Sequence, residues 1–153
     1  MLQIALWEPE IPPNTGNIAR LCAATGCPLH LIGRLGFRID EKSVRRAGLD
    51  YWESVELHRH DTLAEYEEFL KSRGAHLHCL SAHAKTPYTQ IPFRAGDALL
   101  FGAETRGLPP EVLERYCTQS YAIPILSGKV RSLNLATAAG IVLYEGLHQL
   151  QAW

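Results

Sequence analysis

The sequence predicts a single α/β domain with a mostly parallel β-sheet that is flanked by helices on both faces. Short apolar segments typical of buried strands alternate along the chain with segments that carry helix caps. The 153 residues suffice for one domain, and 46% hydrophobic and 20% charged residues are the balance of an ordinary globular protein. We find no internal repeat, low-complexity stretch or linker, so residues 1–153 are interpreted as one domain.

The first half of the chain predicts two strands and three helices. The expected strands cover residues 2–7 and 29–32, and the expected helices cover residues 14–26, 40–48 and 62–74. Asn14 is a suitable N-cap and Gly26 a suitable C-terminal stop for the first helix. In the third helix, Thr62 and Glu65 form a capping box, and Gly74 marks the end.

The second half ends in the segment that points most directly to a ligand. The expected strands cover residues 76–81, 97–102 and 121–125, and the expected helices run from Pro109 to about Cys117 and from Arg131 onward. The last helix is apolar nearly all round, which predicts that it is buried. Its polar opening, Arg131, Ser132 and Asn134, therefore needs hydrogen-bond partners. A bound ligand or an ordinary polar cap would supply them equally well, and both interpretations stay open at this point.

Composition argues against several classes of protein. The formal net charge of −1 favours neither binding nor exclusion of nucleic acid, because the local distribution of charge matters more. No apolar run is long enough to span a bilayer and no signal peptide is visible, so a cytoplasmic protein without membrane contact is expected. The four cysteines match no zinc or disulfide spacing. His76 and His78 alternate with Cys79 on opposite strand faces, so no metal site is expected.

Three polar loops follow apolar strands, which is where open α/β sheets bind ligands. They cover residues 8–17, 101–109 and 123–134. Gly102 and Gly107 in the second loop permit close backbone approaches, although simple turns would explain them as well. Neither a Gly-x-Gly-x-x-Gly triplet nor a Walker motif is present, so the familiar nucleotide-binding sequences are absent.

In order and spacing, the three loops resemble the three motifs of the SPOUT superfamily of knotted RNA methyltransferases. The matching segments are Pro-Asn-Thr-Gly-Asn-Ile-Ala-Arg from Pro13, Phe-Gly-Ala-Glu-Thr-Arg-Gly-Leu-Pro from Phe101, and Ile-Pro-Ile…Arg-Ser-Leu-Asn-Leu from Ile123. The opening Glu-Pro-Glu-Ile-Pro-Pro-Asn-Thr-Gly-Asn resembles a branch that methylates the ribose 2′-oxygen of the wobble nucleotide in certain leucine tRNAs. Relatives often carry Ser-Asn where this chain has Ala136-Thr137, and Pro or Ser at Ala103.

The resemblance implies a C-terminal trefoil knot, S-adenosylmethionine as the cofactor, and a set of site residues. The implied cofactor-binding residues are Leu80, Ser81, Gly102, Glu104, Gly107, Ile123, Ile125, Ser132 and Leu133. The implied catalytic residues are Arg20, Asn14, Glu104, Ser132 and Asn134. Because a guanidinium stays protonated, Arg20 is expected to stabilise a developing alkoxide. Glu104 is expected either to orient Arg20 or to accept the proton.

The implied partners are a tRNA anticodon loop and a second copy of the chain. Candidate phosphate contacts are Lys42, Arg45, Arg46 and Arg131, with Arg34 and Arg38 as further candidates. The resemblance suggests a homodimer with a shared active site, although the small residues at 136–140 are explained equally well by packing within one chain. Trp7 and Tyr144 are expected in the core. The alternatives are a 2′-O-methyltransferase for another tRNA position or rRNA, and a non-catalytic RNA-binding protein with this fold.

Overall fold

The computed structural model describes residues 1–40, 42, 46 and 49–153, and in this part of the chain it shows a parallel sheet between two layers of helices. The strands are β1 Gln3–Trp7, β2 Leu29–Ile32, β3 Leu57–His60, β4 Leu77–Leu80, β5 Thr86–Pro87, β6 Ala98–Phe101 and β7 Ser120–Ala122. The helices are α1 Pro12–Thr25, α2 Leu63–Ser72, α3 Pro110–Arg115 and α4 Leu135–Gln149. Short 3₁₀ helices occupy Leu49–Ser54, Tyr88–Gln90 and Cys117–Gln119.

All strand pairs that the structure describes are parallel, which confirms the predicted sheet type. The strand order is β3-β2-β1-β6-β4-β7-β5, so the first strand lies near the centre beside a strand from the second half of the chain. The register pairs Ala5 with His30 on one side and with Leu100 on the other. The loops that leave β1, β6 and β7 therefore start at the same edge of the sheet, where open α/β sheets bind ligands. The trefoil knot stays a prediction.

Alternating side chains of the central strands feed two separate cores, one on each face. Ile4 and Leu6 of β1 pack with the buried faces of α1 and α4, whereas Ala5 points to the other face and packs with α2 and α3. Successive side chains of a β-strand ordinarily point to opposite faces of the sheet in this way. Trp7 packs against the second core, as predicted, but Tyr144 of α4 is 46% exposed, so its predicted place in the core is wrong. No helix among the described residues is long and apolar enough to cross a membrane.

Two predicted helix ends are confirmed in atomic detail. Gly26 adopts a left-handed conformation with φ 72°, and its N–H donates to the Cys22 carbonyl to close α1. At α2, the Glu65 N–H donates to Thr62 Oγ1 at 3.2 Å, and Glu65 Oε2 accepts from the Asp61 N–H at 2.9 Å. The reciprocal bond therefore goes to the residue before the N-cap, and the capping box is displaced by one position.

Other predicted boundaries are wrong in ways that matter for the site. Helix α1 begins at Pro12 rather than at Asn14, because prolines suit the first helical positions, where no N–H is needed. Helix α4 begins at Leu135 with Asn134 as its N-cap, so residues 131–133 belong to the preceding loop. Strand β7 ends at Ala122, which also places residues 123–125 in that loop. The sequence did not predict β3 or β5, and most of the predicted helix 40–48 lies outside the described residues.

Strand β3 brings two histidines beside a third that is buried. His30 in β2 is fully buried, and its Nδ1 lies 2.9 Å from Nε2 of His60. The rings of His58 and His60 stack on the His30 ring at 4.6 and 5.2 Å between centroids. Burial, together with the neighbouring imidazoles, lowers the pKa of His30 from 6.5 to about 3 and also lowers the pKa of His60. The folded protein thus holds His30 in its neutral form.

We predict that this cluster makes the fold sensitive to acid. His30 takes up a proton near pH 6.5 in the unfolded chain and only near pH 3 in the folded one. Its contribution to stability is therefore complete above about pH 6.5 and is lost as the pH falls toward 3, at up to about 1.4 kcal/mol per pH unit. Denaturant unfolding of the wild type and of His30→Gln at pH 7.5, 6.0 and 5.0 measures this slope.

The expected result is a shallower pH dependence in His30→Gln, whatever its absolute stability. The matched control is His83→Gln, which removes an exposed histidine and should keep the wild-type slope. Equal slopes for the wild type and His30→Gln would contradict the interpretation.

Candidate active site

The loops after β1, β6 and β7 meet at the carboxyl edge of the sheet, as the sequence predicts. Residues 8–11 join β1 to α1, residues 102–109 join β6 to α3, and residues 123–134 join β7 to α4. Three side chains connect these loops: Glu104, Asn14 and Asn134. We call their hydrogen-bonded chain the loop link.

The Glu104 carboxylate lies at one end of the loop link. Its Oε1 accepts from the Glu10 N–H at 2.8 Å, and its Oε2 accepts from the Ile11 N–H at 2.6 Å and from Asn14 Nδ2 at 3.2 Å. Hydrogen bonds to a charged carboxylate are stronger than those between neutral groups, and here they also lie near the positive end of α1. The side chain of the second loop therefore holds the first loop in place.

Asn14 and Asn134 continue the link to the third loop. Asn134 Nδ2 donates to Asn14 Oδ1 at 3.0 Å, and Asn134 Oδ1 accepts from the N–H groups of Ala136 and Thr137. Asn134 is thus the N-cap of α4 and a bridge to α1 at once. Asn14 is 6% exposed, so its amide is almost fully removed from water, and both of its polar atoms are paired.

The backbone of the second loop is shaped by its two glycines. A Cβ on Gly102 would lie 2.2 Å from the carbonyl carbon of Gly107, which leaves no room for any side chain. Gly107 has φ 65°, and its N–H donates to the carbonyl of Ala103 at 2.8 Å. Both glycines are therefore needed for a tight turn that presents Glu104. The sequence left two interpretations of these glycines open, a simple turn and a close backbone approach. In the structure, the tight turn is itself the place where the two backbone segments approach closely.

A second set of contacts ties the first two loops together. Glu10 Oε1 accepts from the N–H of Thr105 at 2.9 Å and from its hydroxyl at 2.8 Å, and these bonds lower the pKa of Glu10. Glu8 has φ 43°, and its Oε1 lies 3.5 Å from Arg106 Nη2. Sequence reasoning missed Glu8 and Glu10; the signal that would have found them is their place directly after β1, in a loop already identified as polar.

Arg20 is a predicted catalytic side chain whose described contact is with Tyr51 and not with the loop link. It is exposed on α1, and its guanidinium carbon lies 5.2 Å from the ring centroid of Tyr51. Because the Glu104 carboxylate is occupied by the first loop and Asn14, the expectation that Glu104 orients Arg20 is corrected: Tyr51 is the partner that the described residues provide. Ser132, the remaining predicted catalytic residue, is exposed in the third loop.

A groove of about 360 Å³ lies between the loops that follow β4 and β7. Of the predicted cofactor residues, Ile123 and Ile125 line it, together with Arg131 from the RNA-contact prediction. The other predicted cofactor residues are not in its lining: Leu80, Ser81, Gly102, Glu104, Gly107, Ser132 and Leu133. The groove also contains residues that the sequence analysis did not select, among them Lys85, Pro87 and Val130. Pro87 was missed because strand β5, which carries it, was not predicted.

The structure describes three of the four predicted phosphate contacts. Lys42 and Arg46 are exposed, and Arg131 is exposed in the lining of the groove of about 360 Å³. Arg45 lies outside the described residues. Their role as phosphate contacts stays a prediction.

The departures from the usual motifs have a local explanation in the loop link. Ala136 and Thr137 donate their backbone N–H groups to Asn134, so the cap of α4 does not depend on their side chains. Ala103 is 3% exposed and pairs with Gly107 through the backbone, where a small side chain fits. Neither departure removes a contact of Glu104, Asn14 or Asn134.

The chain is similar to methyltransferases that are named for position 34 of tRNA. A tRNA (cytidine(34)-2′-O)-methyltransferase of Saccharophagus degradans is 48% identical over 155 residues, which cover 98% of this chain and 96% of the relative. A solved structure that concerns the 2-OH methylation of C/U34 on tRNA superposes with a TM-score of 0.93 at 49% identity, and the match covers 100% of this chain and 98% of the other.

A more distant structure shares the fold within a longer protein. The AdoMet-bound rRNA methyltransferase of Sinorhizobium meliloti matches 97% of this chain and 56% of its own, with a TM-score of 0.86 and 27% identity. The model of the SpoU rRNA Methylase family matches residues 1–144. With its three loops joined at the carboxyl edge of a parallel sheet, this chain belongs to the SpoU rRNA Methylase family.

Proposed function

We propose that this protein transfers a methyl group from S-adenosylmethionine to the ribose 2′-oxygen of the wobble nucleotide of tRNA. The proposed nucleotide is cytidine or a carboxymethylaminomethyl-type uridine at position 34 of leucine tRNAs, and the proposed location is the cytoplasm. The observation that carries the proposal is the likeness to position-34 methyltransferases over almost the whole length of both chains, at 48% identity. The loop link supports it, because the residues that the resemblance implies are in contact across three loops.

The groove of about 360 Å³ fits S-adenosylmethionine in size and chemistry. Ile123, Ile125 and Pro87 give it apolar walls for an adenine ring, and Lys85 and Arg131 give it cations for a carboxylate. The bound cofactor would supply an electrophilic methyl group and would leave as its neutral thioether when the methyl–sulfur bond breaks, while the proton of the ribose hydroxyl is lost to solvent. The protein's own task is to keep water from the methyl group and to align the ribose oxygen with it.

Arg20 is proposed to stabilise the negative charge that develops on the ribose oxygen. A guanidinium is a permanent cation in proteins, so Arg20 is proposed to serve as a fixed positive charge and not as a base. An exposed position suits this role, since the RNA approaches from solvent. Glu104 is proposed to act as the anchor of the first loop, since its carboxylate already accepts three hydrogen bonds.

A homodimer is proposed because α4 and the residues after it leave aromatic side chains exposed. Tyr144 and Trp153 are 46% and 75% exposed, and their ring centroids lie 6.0 Å apart. A Cβ on Gly140 would meet nothing within 4 Å, so the small residues of this helix are not all used for packing within one chain. A second copy on this face would cover the aromatic rings, and the shared active site is proposed to combine Arg20 of one chain with the loop link of the other.

The direct test of the function is methylation of a tRNA mixture. The protein is incubated with labelled S-adenosylmethionine and total tRNA, and the modified nucleotide is mapped by mass spectrometry of nuclease digests. We expect 2′-O-methylation at position 34 of leucine tRNAs. Label at another tRNA position, in rRNA only, or in no RNA would each contradict the proposal.

The Arg20→Ala variant tests the proposed catalytic role. Removal of a fixed cation that acts only on the developing charge should lower kcat by about 100-fold or more while the cofactor dissociation constant stays within about twofold. Arg94→Ala, which removes an exposed arginine on the opposite edge of the sheet, is the matched control and should be fully active. Full activity of Arg20→Ala would refute the assignment.

The shared active site is tested by mixing two inactive variants. If Arg20 of one chain completes the site around Asn134 of the other, mixed dimers of Arg20→Ala and Asn134→Ala each contain one intact site. After unfolding and refolding together, we expect about a quarter of the wild-type activity, as random pairing of a twofold dimer requires. Activity no higher than that of either variant alone, or a fully active monomer in light scattering, would contradict a shared site.

A further inference from the structure

A second groove, of about 520 Å³, lies on the other side of the first loop and contains three arginines. Its lining includes Arg34, Arg38 and Arg59, with Phe37 and Asp40 among them. We call it the arginine groove. We propose that it binds backbone phosphates of the tRNA at a distance from the methylated nucleotide. This inference rests on the proposed function, because it assigns a second contact to the same RNA.

The charge of the groove favours a polyanion. In the described lining, three arginines accompany one carboxylate, and Arg38 Nη2 lies 3.1 Å from Asp40 Oδ2. The side chains of this pair are 80% and 61% exposed, so the pair contributes little to stability. Within the described residues, neither Arg34 nor Arg59 forms an ion pair through its side chain. Both side chains are exposed, so their charges are accessible to a ligand.

The backbone that carries these arginines is fixed to the active-site loops. The Arg34 N–H donates to Glu8 Oε2 at 3.0 Å, and the Gly36 N–H donates to the carbonyl of Pro9 at 3.0 Å. Gly33 has φ 77°, and a Cβ there would lie 2.8 Å from Glu8 Cγ, so the chain must pass close to the first loop. Arg59 is held on β3, opposite Leu31 in the register. The groove is therefore a rigid continuation of the surface that holds the loop link.

The shape of the groove favours an RNA strand over a single anion. A space of about 520 Å³ that opens to solvent is far larger than one phosphate needs, and its cations come from the loop after β2 and from β3. Phe37, half-buried in the lining, adds an aromatic wall beside them. Proteins that hold single-stranded nucleic acid combine a positive groove with aromatic side chains, on which bases or riboses lie. A tRNA arm with a loop offers both groups.

Binding measurements over a range of salt concentrations test this assignment. The variants are Arg34→Ala/Arg38→Ala/Arg59→Ala, the matched control Lys71→Ala/Arg73→Ala/Arg94→Ala, and Asp40→Asn, each with unmodified leucine tRNA. We expect the groove variant to bind roughly tenfold or more weakly and to lower the slope of log K against log salt by about 2 to 3, as the loss of three phosphate contacts requires. We expect kcat at saturating tRNA to stay within about twofold of the wild type.

The Asp40→Asn variant removes the only carboxylate in the described lining and should bind tRNA more tightly, a gain that unfolding cannot produce. Single Arg→Ala variants, each with rescue by Arg→Lys, locate the contacts if the triple variant is unstable. Unchanged affinity and salt slope in the groove variants, or an equal loss in the control, would overturn the inference. Binding by the groove without methylation of position 34 would leave the inference in place and refute the proposed function alone.

Discussion

The Glu104 carboxylate is the interaction on which the rest of the site depends. It accepts two backbone N–H groups from the loop that joins β1 to α1 and one amide N–H from Asn14 in the first turn of α1. These partners lie 90 or more residues before Glu104 in the sequence. Asn14 passes this constraint on to Asn134, which caps the buried helix α4. A single chain of hydrogen bonds therefore fixes the relative positions of all three loops. A partly buried network of this kind is stable only when each member is paired, which is the case here.

The sheet explains why such a short chain of contacts can reach three loops. Parallel strands have their carboxyl ends at the same edge of the sheet, and the order β1-β6-β4-β7 puts the carboxyl ends of β1 and β6 side by side. The turn closed by Gly102 and Gly107 then directs Glu104 back across that edge. The loop link and the two grooves lie along this one edge, so the methyl donor and the RNA strand that we propose would approach the same surface from two sides.

Much of this was predictable from the sequence, for reasons that differ between elements. The apolar strands and the caps at Gly26 and Thr62 follow from local patterns, and the three loops were found because each follows such a strand. The start of α1 did not follow from such a pattern, because the helix begins with two prolines at Pro12. Asn14 is therefore not the N-cap of α1, and its side chain instead joins Glu104 to Asn134. The edge strands β3 and β5 were missed because residues 57–60 contain two histidines and an arginine, and residues 86–87 are too few to form a pattern. The Tyr51–Arg20 contact joins two segments that no local rule relates.

Asn14 and Asn134 act as one unit that joins the loops, and a double-mutant cycle tests this coupling. The variants are Asn14→Ala, Asn134→Ser and the double variant, and the readouts are the free energy of unfolding and the dissociation constant of S-adenosylmethionine. Serine keeps a side-chain cap for α4 but lacks the amide donor to Asn14. We expect the double variant to lose less than the sum of the two single losses, by about 1 kcal/mol. Losses that add within about 0.3 kcal/mol would show that the two residues act independently and would refute the coupling.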